Sequence, residues 1–420
     1  MLEHGGRLRR AAVEYGIPLA DWLDLSTGVN PNGWPVPPIP AETWARLPED
    51  DDGLSEAACA YYGARHALAV AGSQAAIQAL PLLYRQLHGP CRVGVAAPGY
   101  AEHAQAWGTA GHEVVNIPVG AGLPAIATLD RGQARSYDVL VLIHPNNPTG
   151  QTYAPTTLLA WHERLAARGG WRGQPPRSHS FAAPRGGAQP ALGRPGGWRG
   201  QPPRSHSFAA PRGGTQPALG RPGGWRGQPP RSHSFAAPRG GAQPALGRPG
   251  GWLVIDEAFM DATPASSLAA HAHLPGLIVL RSLGKFFGLA GARVGFVLAE
   301  AALLERLRDL LGPWAVCGPA RHIASLALRD TPWQDAARPK LIAAAARLAD
   351  VLAHHGLPPS GGSALFQRVE TARAGEIHAA LARHGILTRL FEHPASLRFG
   401  LPGTASEWTR LDAALAKISP

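Results

Sequence analysis

The sequence predicts an α/β fold in which a mostly parallel sheet carries helices on its faces, followed by a smaller α+β domain and interrupted by one repetitive insertion. Three observations predict it. Short apolar runs alternate with stretches of helical periodicity on both sides of the repeats. Polar residues stand just past the ends of several of those runs, where open parallel sheets bind ligands. The run Leu277-Ile278-Val279-Leu280, which reads as a short buried strand, opens directly onto RSLGKFFGLAGARVG at Arg281 to Gly295.

In chain order, residues 54–62 read as a helix and 67–71 as a strand that ends in Gly72-Ser73-Gln74. Residues 75–87 form the next helix, and 92–96 a strand that runs into Pro98-Gly99-Tyr100. Strands at 113–118 and 138–143 follow, the latter leading into His144-Pro145-Asn146-Asn147-Pro148-Thr149-Gly150. A helix at 156–168 precedes a strand at 252–255 that ends in Asp256. After Gly295 come a strand at 296–298 and helices at 300–311, 320–328 and 336–355, then strands at 366–369 and 396–400. The expected division is an N-terminal arm, 1–45, packing with the small domain; a large domain, 46–170 with 252–299; the insertion, 171–251; and a C-terminal small domain, 300–420.

Trp171, Trp198, Trp225 and Trp252 are 27 residues apart and mark three nearly identical units, WRGQPPRSHSFAAPRGGAQPALGRPGG, varied at Thr215. Each unit holds five prolines and six glycines and no aliphatic stripe to bury against a neighbour, so disorder rather than a solenoid is expected. The segment also explains the charge. It carries twelve arginines and no acidic residue, so the net +11 becomes 11 − 12 = −1 without it. The high pI therefore belongs to one segment, and no nucleic-acid partner is expected for the protein.

Cys59, Cys91 and Cys317 are too few and too scattered for a disulfide framework or a zinc site, and no metal is expected. The N-terminus lacks the apolar core of a signal peptide, and no apolar run approaches spanning length. A soluble cytoplasmic protein, not a membrane protein, is the expectation.

Lys285 is one of three lysines, with Lys340 and Lys417, among 40 basic residues. A generic positive charge in so arginine-rich a chain would be arginine, whereas a nucleophilic amine must be able to lose its proton. Ser282 lies three residues before it and Arg293 eight after, and a hydroxyl with a guanidinium suits a phosphate. A solvated loop lysine is the bland alternative. An acyl-enzyme serine in S-x-x-K lacks its companion S-D-N and K-T-G motifs. Ser73, Asn147, Asp256 and Lys285 all fall just beyond separate strand ends.

In that order and context the chain resembles the fold-type I pyridoxal-phosphate enzymes, the aspartate aminotransferase superfamily, over all of its length outside 171–251. The resemblance implies pyridoxal 5'-phosphate as cofactor, bound covalently by Lys285, with Asp256 on the protonated ring nitrogen. It further implies Asn147 on the ring hydroxyl, Tyr100 stacked on the ring, and Gly72, Ser73, Gln74, Ser282 and Arg293 at the phosphate. It also implies a homodimer. Two residues depart from the commoner pattern. Phe259 stands where many relatives have a tyrosine at the ring hydroxyl, and Leu47 where a tyrosine reaches the neighbouring subunit's phosphate.

His4-Gly5-Gly6, DLSTGVNPNGWP around Asn30, DEAF and ILTRLFEHPASLRFGLP look like one branch, the threonine-phosphate decarboxylases of cobalamin biosynthesis; the histidinol-phosphate aminotransferases are the alternative. The branch implies a small phosphorylated amino acid as substrate, bound by His4, Gly5, Asn30, Asn147, Arg389 and Arg398. Two arginines suit a doubly anionic ligand. A third reading is a pyridoxal-fold binding protein without catalysis, which the retained Lys285 and Asp256 oppose.

Overall fold

The computed structural model describes residues 4–119, 137–168 and 250–418. The repeats lie outside the described residues, as does the expectation that they are disordered. Gly250 and Gly251 are described: the Gly251 N–H donates to Leu165 O at 3.1 Å, so the last two residues of the third repeat belong to the fold.

Near the N-terminus, a two-residue strand, β1 (Leu23–Asp24), precedes the main sheet. Seven strands form that sheet: β2 (Leu68–Val70), β3 (Arg92–Ala97), β4 (Glu113–Pro118), β5 (Val139–Ile143), β6 (Trp252–Asp256), β7 (Leu277–Ser282) and β8 (Gly295–Leu298). Their spatial order is β2-β8-β7-β6-β5-β3-β4. β7, β6, β5, β3 and β4 are mutually parallel, while β8 runs antiparallel to both of its neighbours. All five residues of β5 and of β6 are buried, as expected for parallel strands covered on both faces. Alternation sends Leu140, Leu142, Leu253 and Ile255 into one core and Val139, Val141, Trp252 and Val254 into the other. From β3 the chain turns one way to β4 and then crosses to β5 on the other side, which opens a crevice at the carboxyl ends of β3 and β5.

A second sheet, wholly antiparallel, is built from β9 (Gly361–Ser363), β10 (Phe366–Glu370), β12 (Arg389–Phe391) and β13 (Ser396–Gly400), in the order β12-β13-β10-β9. The remaining strand, β11 (Ile386–Leu387), pairs in parallel with β1 and ties the N-terminal segment to this part of the chain. Ala11, Trp22, Ala382 and Leu387 pack together behind that pair.

The helix expected at 336–355 spans Thr331–His354. Its earlier start has a cause: the Asp330 carboxylate accepts from Trp333 N at 3.1 Å, and Pro332 presets the first turn. The helix expected from residue 75 likewise begins at Gly72. No helix among the described residues is long and apolar enough to cross a membrane.

Candidate active site

The crevice beyond β3 and β5 is lined at its inner end by Gly72, Ser73, Tyr100, Asn147, Asp256, Phe259, Ser282, Lys285 and Arg293. They reach it from the ends of several elements: Gly72 and Ser73 from one helix start, Asp256 and Phe259 from the end of β6, and Ser282 and Lys285 from the end of β7. The helix Gly72–His88 points its first turn inward, where N–H groups have no intrahelical partner and the dipole favours an anion. Gly72 has φ +70, and a Cβ there would lie 2.8 Å from Arg293 Nη2. Glycine thus supplies both the backbone conformation and the room for the guanidinium. Arg293 itself adopts a left-handed φ of 53, a conformation L residues avoid unless the surroundings impose it.

Asp256 ends β6 and is 4 % exposed. Its Oδ2 accepts from His103 Nε2 at 3.0 Å and its Oδ1 from Ala258 N at 3.0 Å. Lys285 follows β7, half-buried, with Nζ 5.4 Å from the centroid of the Phe259 ring. Burial, then Arg398 and Arg293, push its amine down to about 8, against the opposing pull of Asp256. The Phe259 ring packs edge-on against Phe366 with centroids 5.2 Å apart.

The outer half of the crevice is lined by His4, Gly5, Tyr100, Asn147, Lys285, Arg389 and Arg398. Arg389 on β12 and Arg398 on β13 are directly opposed in the antiparallel register. Arg398 is buried, donates to Asn147 Oδ1 and to Ser26 O, and leaves its Nε without a partner. Burial and Arg389 pull its guanidinium down to about 10. Two like charges held side by side with an unsatisfied donor suit an anion arriving from solution.

Two expected residues are placed differently. Asn30 lines neither half. Its N–H donates to Lys285 O and its Nδ2 to Phe286 O, both at 2.9 Å, while its Oδ1 accepts from Asn32 N. It clamps the backbone of the lysine loop, helped by Trp34 N donating to Phe287 O at 2.8 Å. Gln74 lines the cleft, but its side chain is committed elsewhere: Nε2 donates to Glu102 at 2.9 Å and Oε1 accepts from Tyr100 Oη at 3.1 Å.

A model of the aminotransferase class I and II family matches residues 43–171 and 246–415, passing over the repeats. The chain belongs to the aminotransferase class I and II family. It is 48% identical over 415 residues to a threonine-phosphate decarboxylase from Pseudomonas aeruginosa, covering 99% of this chain and 97% of that protein. A threonine-phosphate decarboxylase from Sinorhizobium sp is 33% identical over 99% of this chain and 98% of its own length. Among solved structures, the histidinol-phosphate aminotransferase from Sinorhizobium meliloti in complex with pyridoxal-5'-phosphate superposes with a TM-score of 0.67. That match has 16% identity and covers 99% of this chain and 95% of the other, a likeness of fold. Membership of this family implies pyridoxal phosphate as the cofactor.

For this aminotransferase-family chain, reading the residues in order missed His103, Glu102 and Ser26. Glu102 and His103 sit in the first turn of the helix Glu102–Thr109, directly after Tyr100. Their nearness to Tyr100 was the only available signal, since nothing in local spacing pairs His103 with a carboxylate 153 residues away.

Proposed function

We propose that this chain is a pyridoxal-phosphate-dependent threonine-phosphate decarboxylase, which removes carbon dioxide from L-threonine O-3-phosphate to give (R)-1-aminopropan-2-yl phosphate for cobalamin assembly. The observation that carries the reading is the 48% identity to such an enzyme across nearly both full lengths.

The residues present fit the cofactor. The first-turn N–H groups at Gly72 and Ser73, with Ser282 and Arg293, form a cradle of donors for its phosphate. Asp256 would face the ring nitrogen, Tyr100 the ring, Asn147 the ring hydroxyl, and Lys285 would hold the aldehyde. When bound, pyridoxal phosphate supplies an electron sink for the pair left on the substrate's Cα.

The protein's own groups do the rest. His103 and Ala258 N fix both oxygens of Asp256, so the carboxylate is aimed without spending its orientation on water. Lys285, with its amine near 8, can exist neutral at physiological pH and can also give up a proton, which Cα needs in place of the departing carboxylate. It is also common to both halves of the crevice. Arg389 and Arg398 receive the anionic groups of the substrate, and Arg398 is kept in place by Asn147 and the Ser26 carbonyl. Asn30, by its grip on the lysine loop, acts on Lys285 rather than on substrate.

The enzyme works as a homodimer in this reading. Trp44, Leu47 and Trp314, exposed by 67%, 64% and 57%, are large apolar side chains that a partner copy would cover. Product analysis tests the reaction: carbon dioxide and aminopropanol phosphate from threonine phosphate are expected. A keto product from histidinol phosphate with an amino acceptor, and none of the former, would reassign the enzyme as an aminotransferase.

A further inference from the structure

Glu102 has no role in what has been assigned so far, yet its carboxylate holds two other segments of the chain. Oε1 accepts from His4 Nε2 at 2.7 Å. Oε2 accepts from Gln74 Nε2 at 2.9 Å and from Gln78 Nε2 at 3.4 Å, both on the helix Gly72–His88. A largely buried carboxylate, 14% exposed, needs hydrogen-bond donors in place of the water it has lost. The imidazole and the two amides meet that requirement. Gln74 then passes the constraint on, because its Oε1 accepts from the Tyr100 hydroxyl.

The arm that bears His4 is held on its other side as well. Gly6 N donates to Ser26 Oγ at 2.7 Å, and Ser26 O accepts from Arg398 Nη2 at 2.8 Å. Residues 4–6 therefore bridge from Glu102 to the bend at Ser26 beside Arg398, and His4 and Gly5 line the outer half between those two holds.

We propose that Glu102 is a positioning residue, a latch that pins the N-terminal arm across the substrate half of the cleft so that His4 and Gly5 face the phosphorylated amino acid. The substrate class rests on the proposed function; the latch itself does not.

The test uses holoenzyme of three variants, E102Q, H4Q and the double. It combines steady-state kinetics on L-threonine O-3-phosphate with hydrogen–deuterium exchange of the peptide covering residues 4–15, measured without substrate. E102Q is expected to raise KM about tenfold with kcat within about threefold, the signature of lost ground-state binding. The visible absorbance of bound cofactor should be unchanged, the arm peptide should exchange faster, and the double variant should be no worse than E102Q alone. H4Q, at a side chain 40% exposed, should give the same pattern without risk to folding. Unchanged exchange in both single variants would refute the latch. A loosened arm with unchanged KM would refute its part in substrate binding, as would penalties that add in the double variant. Loss of cofactor absorbance in E102Q would move Glu102 to the support of the inner half. Wild-type enzyme inert toward threonine phosphate would overturn the substrate reading, while the exchange data would still judge the latch.

Discussion

Arg389→Met should change the stability of the free protein little and make the enzyme much worse at binding substrate. In the register of β12 against β13, Arg389 lies directly opposite Arg398, and like charges so placed cost about 0.2–1 kcal/mol. The pair is felt in the structure, since Arg389 is the second cause, after burial, of the fall of Arg398 to about 10. Methionine removes that charge and with it the contact of the guanidinium with the Phe391 ring, 5.3 Å from its centroid, worth about 0.5–1 kcal/mol. The two terms are of similar size and opposite sign, so the melting temperature should shift by less than about 1 °C. Substrate loses more. A charge pair at about 4 Å with an effective dielectric of about 20 is worth about 4 kcal/mol. Arg389 is half-buried, so discounting for solvent leaves about 2–3 kcal/mol. That loss corresponds to a KM higher by about 30- to 150-fold. Product formation at varied threonine phosphate and a melting curve of substrate-free holoenzyme read the two effects. A KM within twofold of wild type would refute the role in anion binding. A melting temperature lowered by several degrees would show that Arg389 holds the sheet together.

Lys285→Ala should lose both turnover and the visible absorbance of covalently held cofactor while the fold survives; a borohydride-reduced adduct on another lysine would contradict the assignment. Asp256→Asn should keep some pyridoxal phosphate but lower kcat by about a hundredfold, close to 3 kcal/mol, because a neutral ring nitrogen is a weaker sink. Near-normal turnover in that variant would remove Asp256 from the mechanism. Because burial depresses the Lys285 amine to about 8 and only the neutral form attacks a carbonyl, uptake of pyridoxal phosphate by apoprotein should quicken as pH rises and level off above about 8. A rate already flat from pH 6 would be inconsistent. Deleting residues 172–245, which the family match passes over and which precede the amino end of β6, should leave kcat within about threefold. Loss of activity or dimerisation would make the segment a functional element.

The parallel strands were readable because a strand covered on both faces must be apolar throughout: β5 and β6 announce themselves as VLVLI and WLVID. The two-residue strands β1 and β11 carry no such signal. They exist because the N-terminal segment finds a partner more than 350 residues away, at Ile386 and Leu387, which no local pattern encodes. The helix Thr331–His354 is an intermediate case, since Asp330 before Thr-Pro is a start signal that apolar periodicity alone overlooks.

The same distinction separates the readable half of the site from the rest. Lys285, Asp256, Asn147 and Ser73 could be found because a parallel sheet puts strand ends at one edge, and the sequence shows where strands end. What aims those groups comes from elsewhere in the chain. His103 reaches Asp256 across 153 residues, Asn30 reaches the lysine loop across 256, and His4 reaches Glu102 across 98. Asn30 shows the consequence most plainly. Its residue type and its motif suit a ligand contact, yet both ends of its amide are spent on backbone, Nδ2 on Phe286 O beside Lys285 and Oδ1 on Asn32 N of its own turn. Polar side chains near a reactive group divide into those that meet the ligand and those that hold the reactive group still. Composition and spacing cannot tell these apart, because both need the same donors. The partner of each hydrogen bond is what decides, and that partner is a product of the fold.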